Sequence, residues 1–287
     1  MDMKCDICGG ESVLIHSGTR DDPSINVYEC KICHTKQLDI INNNDYENGF
    51  MNGKKTMSND EINERIKECR IDDLRRASSI AEWCNDKTVL DFGCGFGGFI
   101  DAISSIAKRV SGVELGLAER EYLIQKGIDV HKDISELDNQ FDVITLFHVF
   151  EHLKEPREWL RIISEHLKDG GVLFIEVPNS NDALLSLYKC DDFADFTYWS
   201  AHLYLYTIDS LTMIINDNGS FDIESDGQVQ RYPLANHLYW LASGKPGGQK
   251  VWGKLSSKEL EKQYYMALSE LGLCDTLFFR LRKKFIH

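Results

Sequence analysis

One eight-residue segment, Asp91-Phe92-Gly93-Cys94-Gly95-Phe96-Gly97-Gly98, limits what this chain can fold into more than any other. Thr88-Val89-Leu90-Asp91-Phe92 reads as a short buried strand, and residues 99–107 read as a helix. The glycines therefore fall in a strand-to-helix turn, where they allow a sharp bend and let a ligand approach the main chain closely. Glu114 ends the next expected strand, 109–113, and lies 21 residues beyond the first glycine. A carboxylate at that place accepts hydrogen bonds from ribose hydroxyls. The expectation is a crevice for an adenosine-containing cofactor.

Two cofactor classes compete. Gly93, Gly95 and Gly98 satisfy the G-x-G-x-x-G spacing of dinucleotide folds, so a nicotinamide cofactor fits the glycines. The acid Asp91, two residues before the first glycine, separates the classes. It would stand close to the pyrophosphate of a dinucleotide, whereas S-adenosylmethionine has no phosphate and carries a cationic sulfonium and ammonium. Charge favours the methyl donor.

The rest of the chain continues the alternation. Helices are expected at 117–126, 151–167 (closed by Asp169-Gly170-Gly171) and 207–218, the last capped by Thr207 and stopped by Gly219. Strands are expected at 129–134, 141–147, 172–177, 221–232 and 275–282. A helix starting at Ser58, with Glu61 closing a capping box, precedes the first of these strands. Such alternation implies an α/β fold, Rossmann-like, with a mostly parallel sheet covered on both faces. Residues 188–206, rich in aromatics, and 233–274 do not fit the pattern and read as insertions.

In order along the chain, DFGCGFGG, Glu114, Asp133-Ile134, FDVITLFHVFEHL and LKDGGVLFIEVPN resemble the motifs of the class I S-adenosylmethionine-dependent methyltransferases over residues 80–225. The resemblance implies a seven-stranded sheet and a catalytic domain over 86–287, with cap insertions near 180–206 and 233–274. It implies that the backbone at Gly93 and Gly95 lines the methionine portion of the cofactor, with Gly97 in the same loop and Asp91 near the amino group. Glu114 would hold the ribose and Asp133, beside Ile134, the adenine amine. Phe147 and His148 would face the methyl-transfer site. Sugar and secondary-metabolite methyltransferases carry a similar zinc module and cap, so the implied acceptor is a hydroxyl of a sugar or nucleotide-linked sugar in surface-polysaccharide or natural-product biosynthesis.

Cys5-x-x-Cys8 and Cys30-x-x-Cys33 mark a second unit, residues 1–40, joined by a linker and helix over 41–85. Two such pairs have the spacing of a closed four-thiolate zinc site, which is structural and leaves no position open for chemistry. His16 and His34 read as neighbours of that site. The linker's asparagine run is Asn42-Asn43-Asn44.

A hydroxyl acceptor needs a base, and histidine is the natural one. His148, at the carboxyl end of a sheet strand, and His202, in the aromatic stretch, are the candidates. His148, Glu151 and His152 also fall at i, i+3 and i+4, a spacing that on a helix would bind a divalent metal. They resemble the Glu-x-x-Glu-His site of ubiquinone-pathway O-methyltransferases, with His148 in place of the first acid. The blander expectation is that Glu151 caps a helix. Tyr198, Trp199, His202, Tyr204 and Tyr206 are expected to form an aromatic wall. Arg231, Tyr232, His237, Tyr239, Trp240 and the Lys245–Gly248 loop are candidates for an anionic-substrate pocket.

Composition excludes other classes. Net charge is −14, which opposes docking on a phosphate backbone. A zinc-module ribosomal RNA methyltransferase is the alternative enzyme. Residues 1–60 hold six Lys/Arg against ten Asp/Glu, however, a net of −4. The basic run Arg280–Lys284 reads as a solvated end. A non-catalytic S-adenosylmethionine-binding protein is the alternative outside enzymology. The N-terminus lacks a secretory apolar stretch, so a cytoplasmic location is expected. The expected partner is a small molecule, with neither nucleic acid nor membrane; a homo-oligomer is compatible with the sequence.

Overall fold

Strands buried on both faces require cover from both sides, and the helices between them supply it. The computed structural model describes residues 3–41, 44–52 and 56–285; Asn42 and Asn43 of the expected linker lie outside them. The N-terminal unit contributes β1 (Met3–Lys4), β2 (Glu11–His16), β3 (Val27–Cys30) and β4 (Lys36–Leu38). Helix α1 (Asn59–Cys84) follows, with the Ser58–Glu61 capping box formed in both directions.

The main sheet is built from β5 (Thr88–Phe92), α2 (Gly98–Ile103), β6 (Arg109–Val113), α3 (Leu117–Gln125), β7 (Asp129–His131), β8 (Phe141–Phe147), α4 (Pro156–His166) and β9 (Leu167–Pro178). After β9 come α5 (Ala183–Ser186), α6 (Asp191–Thr197), β10 (Tyr204–Leu205), α7 (Ile208–Asn218) and β11 (Phe221–Val229). The chain ends with α8 (Leu234–Ser243), α9 (Gly248–Val251), α10 (Lys258–Glu270) and β12 (Thr276–Lys283). Strand order is β11-β12-β9-β8-β5-β6-β7. β7, β6, β5, β8 and β9 run parallel, and β12 pairs antiparallel with β9 and β11. The fold is therefore the expected Rossmann-like seven-stranded sheet. The chain turns to opposite sides from β5, towards β6 and towards β8, so the crevice outside their carboxyl ends is the topological switch point.

Four expectations change. The helix expected at 151–167 begins only at Pro156, because proline fits the first helical turn and disfavours helix in the residue before it; Glu155 there is left-handed (φ 59°). Glu151 therefore caps no helix; it lies in a 3-10 turn, Phe150–His152. Asp169-Gly170-Gly171 belongs to β9 and closes nothing. The basic end is a sheet strand: Arg280 and Arg282 pair with Glu224, and Lys283 Nζ donates to Leu167 O at 2.7 Å.

The small sheet does not stop at residue 40. Its order is β1-β2-β3-β4-β10, with Tyr204 opposite Gln37. A strand from the aromatic insertion thus completes the cysteine module's sheet. No helix among the described residues is long and apolar enough to cross a membrane.

Candidate active site

The glycine loop and its acids form one end of the crevice. Gly93 and Gly95 have φ of 77° and 53°, left-handed values that glycine adopts without strain. A side chain at Gly95 would meet nothing within 4 Å, so the backbone there faces open space, as a ligand cradle must. Gly97 serves differently: a Cβ would lie 2.6 Å from Leu123 Cδ2, so this glycine lets α2 pack against α3. Glu114 accepts from Gly95 N through one oxygen and from Gly116 N through the other, both at 2.8 Å. A carboxylate has about four lone-pair sites, which leaves acceptor capacity for ribose hydroxyls.

Asp91 is buried at the end of β5 and accepts from Thr145 Oγ1 at 2.7 Å. Burial pushes its ionisation up to about 7, and burial raises Glu114 as well. Asp73, on α1, packs over Gly98, and burial lifts it to about 6. Three acids surround the loop, each raised because burial outweighs the hydrogen bonds and favourable charges that lower it. The crevice suits a cation and repels a diphosphate, which is how S-adenosylmethionine differs from a dinucleotide.

The remaining cofactor positions are less uniform. Asp133 is exposed and accepts from Ser135 N at 2.8 Å. Ile134 is buried in the core beside Leu137 and Phe141. Phe147 meets Phe99 edge-on, centroids 5.0 Å apart, with the Arg76 guanidinium 4.8 Å from its ring centroid.

His148 takes a strained backbone (φ 57°) at the tip of β8. Arg231 Nη1 lies 2.7 Å from its Nε2. Arginine only donates, so Nε2 is the acceptor and the ring's proton sits on Nδ1, 3.4 Å from Glu151 Oε1. Burial, then the Arg231 charge, holds this histidine well below its ordinary value. Its free lone pair is already taken.

His152 and His202 are arranged in the opposite sense. Their Nδ1 atoms stand 2.7 Å from Ala201 O and 3.1 Å from Thr197 O. Carbonyls accept, so both rings donate from Nδ1 and leave Nε2 as the lone-pair nitrogen, that of His152 3.8 Å from Glu151 Oε1. Burial holds the two at about 4 and about 3, so both are neutral near pH 7. Beside them lies Glu151, fully buried, with neither carboxylate oxygen hydrogen-bonded among the described residues and its ionisation pushed up to about 8 by burial. Ligand atoms of Glu151, His152 and His202 lie within 4.8 Å of one another. Of the expected metal set of His148, Glu151 and His152, His148 Nε2 faces Arg231, and the group that converges is Glu151, His152 and His202.

The aromatic wall is narrower than expected. Tyr198, Tyr204 and Tyr206 are buried in the core. Trp199 remains, with the Arg20 guanidinium 4.1 Å from its centroid and Phe50 stacked at 5.5 Å and 9°. Of the expected anionic pocket, Arg231 reaches the site. His237 is buried and bonded to Tyr264 Oη at 2.6 Å, and Trp240 packs on Phe193 and Phe196. His237 packs within its own insertion, and Trp240 joins the two insertions.

The cysteines converge. Cys5 and Cys33 sulfurs are 3.6 Å apart, Cys8 and Cys30 sulfurs 3.4 Å, and all four lie within 4.8 Å. Tetrahedral Zn–S bonds of about 2.3 Å put sulfurs about 3.8 Å apart. Ile7 N and Ile32 N each donate to the preceding cysteine sulfur at 3.4 Å, which favours thiolates. The cluster fits the metal.

Sequence reading missed Asp72, Asp73, Arg76, Tyr46 and Phe50. Asp72-Asp73 and Arg75-Arg76 resemble the solvated face of a helix. In fact Arg75 and Arg76 reach Glu176, and Arg231 pairs with Asp72 at 2.6 Å. The signal was present in Ala77 and Ile80, which continue the same helix and are buried. Nothing in the sequence pointed to Tyr46, which meets His152 edge-on at 6.3 Å, or to Phe50, stacked on Trp199.

Comparison with known proteins fits this geometry. The family described as "Methyltransferase domain" matches residues 63–224, more than half of the chain. The ubiquinone biosynthesis O-methyltransferase of Pseudomonas paraeruginosa (strain DSM 24068 / PA7) is 32% identical over 106 residues, 33% of this chain and 46% of that protein. The enzyme of the same description from Aeromonas salmonicida (strain A449) is 26% identical over 118 residues, 35% of this chain and 50% of that one. The chain spans about half the length of the curated relatives it matches. Among solved structures, a SAM-dependent methyltransferase from Archaeoglobus fulgidus has a TM-score of 0.50 at 19% identity, covering 77% of this chain and 97% of that one. The plantazolicin methyltransferase BamL, solved with a desmethyl analogue and S-adenosylhomocysteine, has a TM-score of 0.51 at 13% identity, covering 79% and 91%. At such identities the likeness is one of fold.

Proposed function

This chain belongs to the methyltransferase domain family of class I S-adenosylmethionine-dependent enzymes, and from that premise we propose that it methylates a hydroxyl of a small molecule, with a sugar or nucleotide-linked sugar as the leading acceptor class. The observation that carries the reading is the convergence of Asp91, Glu114 and Asp73 on the glycine loop, each raised by burial. When bound, the cofactor supplies an electrophilic methyl group on a sulfonium. Asp91 would hold its ammonium, Glu114 its ribose and Asp133 its adenine amine.

On the acceptor side, the Nε2 lone pair of His202, in a ring that burial keeps neutral but weakly basic, would take the hydroxyl proton once substrate is bound, with His152 beside it, rings 5.2 Å apart. His148, held by Arg231, would shape the crevice instead. Trp199, stacked with Phe50 and met by the Arg20 guanidinium, would close the acceptor wall beside His202 by packing. A second reading follows from the orphaned Glu151: a divalent cation held by Glu151, His152 and His202 would lower the pKa of the acceptor hydroxyl. Cys5, Cys8, Cys30 and Cys33 would hold a structural zinc that takes no part in the chemistry.

The test is release of S-adenosylhomocysteine from S-adenosylmethionine in the presence of a panel of nucleotide-linked hexoses. Turnover that a chelator leaves intact supports the histidine base; turnover restored by added magnesium or manganese supports the cation. No turnover on any member removes the sugar assignment.

A further inference from the structure

Residues 198–203, which carry Trp199 and His202, belong to no helix or strand. Backbone polar groups there need partners from outside, and the cysteine module provides several. Arg20 N donates to Tyr198 O at 2.9 Å, and Arg20 Nη1 to Phe196 O at 3.3 Å. Asp21 accepts from Ser200 N at 3.0 Å and from Ser200 Oγ at 2.6 Å. Ser200 is 2% exposed, so Asp21 satisfies a buried donor pair. His16 Nε2 meets Asp195 at 2.8 Å, and β10, which follows the segment directly, pairs with β4 of the module.

We propose that Arg20 and Asp21, on the β2–β3 loop of the cysteine module, are positioning residues for the acceptor wall, fixing Trp199 and His202 for methyl transfer. This rests on the methyltransferase reading. Arg20 acts twice: its main chain and one guanidinium nitrogen pin carbonyls, and the cation stands 4.1 Å from the Trp199 centroid. Asp21 fixes the amide of Ser200, two residues before His202. The metal-binding unit is thereby part of the reaction site while lending it no metal ligand.

The test uses the full chain with Arg20→Ala, Arg20→Lys, Asp21→Asn and Ser200→Ala. Three ligand-free readouts follow the wall: amide exchange over 196–203, emission of Trp199 against a Trp199→Phe blank, and carbethoxylation of His202 by diethyl pyrocarbonate, read on its own peptide. Asp21→Asn and Ser200→Ala should each speed exchange at least tenfold and alter the His202 rate severalfold, and the double variant should add little. Arg20→Ala should shift Trp199 emission, and Arg20→Lys should restore it. Metal content and S-adenosylhomocysteine affinity should stay within twofold of the parent, since the glycine loop lies elsewhere. Unchanged exchange, emission and carbethoxylation in variants that keep their metal would overturn the proposal. Should the Asp21 variant fail to fold, Ser200→Ala leaves the module intact and decides alone. A parent that does not bind S-adenosylhomocysteine would instead overturn the methyltransferase reading.

Discussion

Asp91→Asn should make the protein more stable and a worse binder at once. An ordinary aspartate ionises near 3.9, and Asp91 near 7. At pH 8 its charge therefore costs the folded, ligand-free chain about 4 kcal/mol, at about 1.36 kcal/mol per pKa unit. Asparagine removes that cost and can keep the bond from Thr145, but it buries an amide nitrogen without an acceptor, at about 1–3 kcal/mol. The net gain is about 1–3 kcal/mol, or about 2–6 °C in Tm for a chain of this size. The folded pKa lies above the unfolded one, so the cost of the wild-type charge is absent below about pH 4. It grows as pH rises through 7 and is constant above; the variant's advantage should shrink steadily from pH 7 to pH 5. Binding moves the other way. Losing a charged hydrogen bond to the cofactor's ammonium should cost about 1.5–3 kcal/mol, a ten- to hundredfold weaker Kd at about 1.4 kcal/mol per decade. Thermal melts at pH 8, 7, 6 and 5, with calorimetric titration of S-adenosylhomocysteine at pH 8, read both effects. A variant that melts lower at pH 8, or binds with wild-type affinity, would refute the reasoning.

Glu114→Ala should weaken S-adenosylhomocysteine binding at least tenfold by calorimetry and loosen the glycine loop, since Gly95 N and Gly116 N lose their acceptor; unchanged affinity contradicts the ribose assignment. Serine at Cys5 and Cys30 should release about one zinc per chain, measured by metal analysis, and zinc-free parent protein would end that assignment. His202→Ala should cut turnover by about two orders of magnitude, as loss of a general base does, and more deeply than His148→Ala; the reverse ranking would return the base to His148.

Local patterns were legible in the sequence, and pairings across the chain were not. The strand, glycine turn and acid of β5–β6 could be read because each rests on neighbours within about twenty residues. The Ser58–Glu61 box is more local still. Pro156 and Asp169-Gly170-Gly171 were local misreadings: apolar periodicity outweighed the proline, so the helix was started five residues early, and the two glycines read as a helix stop lie in β9. The acceptor side depends on contacts between residues far apart. Arg231 meets His148 across 83 positions, and His152 meets Ala201 across 49. A histidine's tautomer is set by such partners, so His148 and His202 looked equivalent until their neighbours were known. The cysteine spacing announced a metal cluster, yet could not announce that β10 would join its sheet.

Everything proposed for this chain depends on a crevice whose buried acids welcome a cationic adenosyl ligand and reject a pyrophosphate. Parallel calorimetric titrations of the purified chain with S-adenosylhomocysteine and with NAD measure that directly. The account predicts stoichiometric binding of the first and no detectable heat from the second; firm binding of NAD with indifference to S-adenosylhomocysteine would contradict it.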